Sequence, residues 1–79
     1  MTTTNREKLQ EIFRAVLELP PAADVTGVQQ GSQHNWDSLA HVSLIAAIES
    51  EFTTTIDAAD ALCITSYQAT TALLEEKGL

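Results

Sequence analysis

Residues 34–52, HNWDSLAHVSLIAAIESEF, decide how this chain is read. Asp37 or Ser38 can accept the orphan amide hydrogens of a first helical turn, and the run behind them predicts a helix ending near Phe52. With Ser38 set at zero and about 100° per residue, His41, Leu44, Ile45, Ile48 and Phe52 fall between roughly 240° and 340°. That is an ordinary core-facing stripe. Leu39, Val42 and Ala46 fall between roughly 40° and 100°, on the far side of Ser38, and cannot share that direction. The second stripe is either covered by another part of the chain or left outside as a docking surface. Ser38 lies between the two arcs at the helix N-terminus, where free amides and the macrodipole favour a negative group on its oxygen.

Upstream, Leu9, Ile12, Phe13, Val16 and Leu17 recur at helical spacing and predict a helix from about Asn5 to Leu19. Thr4 with Glu7 forms a capping box for it, Pro20-Pro21 stops it, and residues 1–4 are expected to fray. From Pro20 to Trp36 no period holds. A loop of this length is expected to be pinned by its own apolar residues, here Val25 and Val28 as core plugs, and it is also the segment that would cover the second stripe. Downstream, Asp57 caps a short helix through about Leu62, and Thr65 with Gln68 forms a capping box for a last helix ending at Gly78. No segment alternates with period two, so the expected fold is all-α, a small bundle of three longer helices and one short one in a single domain.

The totals exclude several functions. At 79 residues the core is small and leaves little room for an enclosed active site. Four basic against eleven acidic side chains give a net charge of −7, which repels nucleic acid and anionic lipid and calls for partners with basic patches. One cysteine forms no internal disulfide, and Cys63, between Leu62 and Ile64, reads as a small buried hydrophobe. Without a leader-like start or an apolar run of about 18 residues, a monomeric cytoplasmic protein is expected.

Rival chemistry centres on the same residues. Asp37, Ser38 and His41 suggest a hydrolytic triad, but no elbow, oxyanion donor or deep pocket accompanies them. His41 is expected partly buried and hydrogen-bonded. His34, Asp37 and His41 have no metal-ligand spacing, and His34 reads as a surface residue. Trp36 either shields Ser38 and contacts partners or packs against the loop, and Tyr67 reads as core with a wet hydroxyl.

Asp37-Ser38-Leu39, followed by Val42, Leu44, Ala47, Glu49, Glu51 and Phe52 and then by Ile56 and Ile64, resembles an acyl carrier protein over essentially the whole chain. The resemblance implies that a phosphopantetheinyl transferase attaches 4′-phosphopantetheine from coenzyme A to Ser38, with Asp37 aiding recognition. The thiol of that arm would carry an acyl or aminoacyl group as a thioester. It implies docking through Leu39, Val42, Ala46 and Glu49, and an acyl-accommodating interior of Leu44, Ile45, Ile48, Phe52, Ile56 and Ile64. Ala40, Ser43 and Ser50 stand where family members often carry acids, which leaves Asp37, Glu49 and Glu51 as the main acidic contacts. Trp36 in place of a small residue points to a freestanding carrier of a specialised biosynthetic pathway. The alternative from another class is a non-catalytic helical adaptor that binds a partner through the same stripe with Ser38 unmodified.

Overall fold

The computed structural model describes residues 1–79. It consists of α1 (Thr3–Val16), α2 (Ser38–Phe52), α3 (Ala58–Cys63) and α4 (Tyr67–Glu76), with one 3₁₀ turn at Gln30–Ser32 in the long loop. There are no strands. One isolated antiparallel bridge joins Gln29 and Ser66, through bonds from the Gln30 amide to the Thr65 carbonyl (2.9 Å) and from the Tyr67 amide to the Val28 carbonyl (3.0 Å).

The expected bundle is present, with corrected ends. α1 starts two residues early because Thr2, not Thr4, is its cap, the Asn5 amide donating to Thr2 Oγ1 at 3.1 Å. The opening residues do not fray. The amino group of Met1 sits 3.2 Å from Glu75, and the Asn5 side chain donates to the Leu79 carbonyl at 3.3 Å, which ties the start of α1 to the end of α4. α1 also stops at Val16, before the prolines. The Leu19 amide donates back to Arg14 and the Glu18 amide to Ala15, while Glu18 takes a left-handed φ of 56°. This is a Schellman ending, so Pro20 and Pro21 follow a reversal already made. α2 begins and ends as expected, and α3 is capped by Asp57. α4 is capped by Ser66 instead of Thr65, whose carbonyl is used in the bridge.

Thirteen buried apolar residues form one core: Leu9 and Phe13 from α1 and Leu17 from its C-cap, Val25 and Trp36 from the loop, Ala40, Leu44 and Ile48 from α2, then Ile56, Ile64, Tyr67, Leu73 and Leu74. Phe13 is its centre, meeting Trp36 and Tyr67 edge-on with ring centroids 5.5 Å apart in both pairs. Each such pair contributes about 0.5–1.5 kcal/mol beyond the area it buries. Tyr67 is a core residue, and its hydroxyl accepts from Gln10 Nε2 at 3.3 Å.

The loop plugs hold as expected, Val25 fully buried and Val28 packed against the core. The loop is anchored to α1, since Arg14 Nε donates to the Ala23 carbonyl (2.9 Å) and Asn35 Nδ2 to the Leu17 carbonyl (3.2 Å). Within it Asp24 accepts from the Thr26 hydroxyl and amide, which holds its carboxyl below the usual range. α3 is held to α4 by Lys77 and Asp60, 2.8 Å apart, and that carboxylate raises the affinity of Lys77 for its proton.

Cys63 is a correction. It is exposed, with only a 3.6 Å contact from Sγ to the Ala59 carbonyl, because α3 has a single apolar side, which is given to Ala61.

Glu18→Gly is expected to stabilise the fold by about 0.5–1 kcal/mol, because glycine takes the left-handed conformation without a Cβ penalty. Urea denaturation measures it, and an unchanged or lowered midpoint contradicts the Schellman assignment.

Candidate functional site

The site is built on the first three turns of α2. Asp37 takes an extended conformation and its Oδ1 accepts from the Ala40 amide at 2.8 Å, while its carbonyl accepts from the His41 amide at 2.9 Å. The first of these bonds satisfies one of the four orphan amides, that of Ala40, and the second is the first bond of the helix itself. The amides of Ser38 and Leu39 have no backbone partner. Ser38 is the first helical residue and is exposed.

Burial around α2 bears out the two-stripe geometry, with the core stripe shifted toward Ala40. Ala40, Leu44 and Ile48, one helical turn apart in succession, are buried and make an arc centred on Leu44. His41, Ile45 and Phe52 are half-buried at its edge. Ala40 thus lies in the core, so its lack of charge says nothing about a docking face. The second stripe is open. Leu39 is 74% exposed and Val42 63%, with Ala46 exposed beside them. Loop 20–36 does not cover it, being bonded to α1 instead.

His41 is not available to Ser38. The Trp36 indole Nε1–H donates to its Nδ1 at 3.1 Å, which leaves Nε2 to carry the ring hydrogen toward the Ala61 carbonyl at 3.0 Å. The rings of Trp36 and His41 stack, with centroids 6.2 Å apart. With both nitrogens engaged, His41 serves as a strut between loop, α2 and α3, and the triad has no base. Trp36, 4% exposed, is a core residue and not a shield over Ser38. His34 is exposed on the loop, and no group of three or more His, Cys, Asp or Glu is placed to hold a metal ion.

The expected acidic contacts are largely engaged within the chain. Glu49 Oε2 accepts from the Ile56 amide at 3.0 Å and anchors the α2–α3 connection, and Glu51 lies 3.9 Å from Lys8. Of the six residues expected to accommodate an acyl chain, Leu44, Ile48, Ile56 and Ile64 are buried core. None of the six lines any of four surface cavities, the groove beside Ser38 among them.

Sequence reasoning missed Leu62, the most exposed large apolar residue at 80%. The His41–Ala61 bond joins α2 and α3 at the residues that precede Val42 and Leu62 in the chain. The chain matches no protein-family model and no curated protein.

Val42→Glu and Leu62→Glu are expected to change unfolding stability by no more than about 0.5 kcal/mol, as substitutions at open surface do. Leu44→Ala, in the core stripe, is expected to cost about 2–5 kcal/mol. Thermal or urea unfolding of the three variants checks this, and a large loss for Val42→Glu would place the second stripe inside.

Proposed function

We propose that this protein is an acyl carrier, with Ser38 the attachment point for 4′-phosphopantetheine. The observation that carries the reading is an exposed serine at the first position of α2, flanked by an open apolar stripe that the fold does not use for itself.

The residues suit the group. A phosphodiester on Ser38 Oγ would sit at the positive end of a 15-residue helix, next to the unpartnered amides of Ser38 and Leu39. The Asp37 carboxylate is a like charge nearby, but one of its oxygens is bonded to the Ala40 amide, and the other is left for the transferase to recognise. In the loading step Ser38 Oγ bonds to the phosphorus that bears pantetheine, the pyrophosphate bond of coenzyme A breaks, and adenosine 3′,5′-bisphosphate leaves with the electron pair. The serine proton goes to a base of the transferase. When bound, the group supplies a flexible arm ending in a thiol that holds an acyl or aminoacyl cargo as a thioester.

The chain itself performs no chemistry in this scheme. His41 is held away from Ser38, which keeps the hydroxyl unactivated until a partner acts on it. Leu39, Val42, Ala46 and Leu62 dock the transferase and the acyl-handling enzymes, with Glu49 at the edge of the patch. An acidic molecule of charge −7 is steered toward basic docking surfaces, while a small apolar patch keeps release fast. Such a carrier acts in the cytoplasm, where coenzyme A is at hand, and the departures at Trp36, Ser43 and Ser50 favour a specialised pathway.

Incubation with coenzyme A and a broad-specificity transferase, read by intact mass spectrometry, is the test. The native chain is expected to gain one phosphopantetheine mass and Ser38→Ala none. A native chain that gains nothing contradicts the carrier reading and favours an unmodified adaptor using the same stripe.

A further inference from the structure

We propose that the arm on Ser38 lies along the α1 side of α2, in a polar groove between Val16, Glu18, His34, Asn35, Leu39 and Ser43, and not in the seam between α2 and α3. This rests on the reading of Ser38 as the attachment point.

The groove begins beside Ser38, with Asp37 and Leu39 both on its wall, and has a volume of about 320 Å³. That lies at the lower end of the range of about 300–1,000 Å³ for small-molecule sites. Its position follows from the phase of α2. Leu39 and Ser43, one turn apart, lie on one flank of the buried arc with Ala40 at the floor, whereas His41 and Ile45, also one turn apart, lie on the other flank.

The lining matches an arm made of two secondary amides and a hydroxyl. Asn35 donates its Nδ2 to the Leu17 carbonyl, which fixes the side chain and leaves Oδ1 as an acceptor. The Glu18 carboxylate is a second acceptor, brought to the groove by the left-handed turn that ends α1. Ser43 and His34 can each donate or accept. Only three of the eight lining residues are apolar, which suits the arm better than an acyl chain.

On the other flank the way is closed one turn from Ser38. The bond from His41 Nε2 to the Ala61 carbonyl spans the seam at 3.0 Å, and Trp36 occupies the remaining ring nitrogen. An arm entering there would have to break this strut, and Leu44, Ile45, Ile48, Phe52, Ile56 and Ile64 line neither the groove nor three further surface cavities.

Comparison of ¹⁵N-labelled protein before and after loading tests the placement, with intact mass confirming that loading is complete. Asp37, Ser38 and Leu39 will shift wherever the arm lies. The expected result is further shifts at Val16, Glu18, His34, Asn35 and Ser43, with nuclear Overhauser contacts from the arm's methyl and methylene protons to these residues. Shifts confined to 37–39, or running instead through Ile45, Ala61 and Leu62, overturn the placement while leaving Ser38 as the attachment point. A protein that gains no mass overturns both.

Discussion

The hydrogen bond from the Ala40 amide to the Asp37 carboxylate fixes where α2 begins, and the burial of Ala40, Leu44 and Ile48 fixes its phase. Everything of functional interest follows from those two constraints. A helix starting one residue later would leave Ser38 in the cap, with its side chain turned back on the first turn instead of outward. Rotation by one residue's step would carry Leu39 and Val42 toward Phe13 and expose Leu44. With start and phase both set, the chain presents a hydroxyl on the rim of the helix and an apolar stripe beside it, and buries neither.

The same economy engages the most reactive-looking neighbours within the fold. His41 is one turn from Ser38, but it joins Trp36 to Ala61 and so holds loop, α2 and α3 in register. Glu49 is similarly occupied with the Ile56 amide. Polar groups near the site are thus satisfied within the fold, and no buried side-chain polar atom lacks a partner. Such an arrangement is what the proposed carrier role asks of the surface around Ser38.

Much of this was legible in the sequence because α2 is long enough to show its period. Fifteen residues separate two stripes cleanly, and Asp57 is a cap without a close competitor, while of Asp37 and Ser38 the structure uses Asp37. Where several residues offered the same local bond, tertiary contacts chose among them. Thr2, Thr3 and Thr4 could each cap α1, and the pairing of Met1 with Glu75 and of Asn5 with Leu79 selects Thr2. Thr65 and Ser66 could each cap α4, and the bridge to Gln29 takes the first into extended pairing. The six residues of α3 are too few to display a period, so the exposure of Leu62 and Cys63 depends on how Lys77 and Ala61 hold that helix. The groove beside Ser38 joins Val16 and Glu18 at the end of α1, His34 and Asn35 of the loop, and the start of α2 from Asp37 to Ser43, a proximity created by folding alone.

The central proposal is that one hydroxyl, at position 38, is set out for another enzyme to modify. Peptide mapping by tandem mass spectrometry, after co-expression with a phosphopantetheinyl transferase, addresses it most directly. The expected result is the whole added mass on the Asp37-Ser38-Leu39 segment, with Ser32, Ser43, Ser50 and Ser66 bare. Phosphopantetheine on any of those four, or on none of the five, would contradict it.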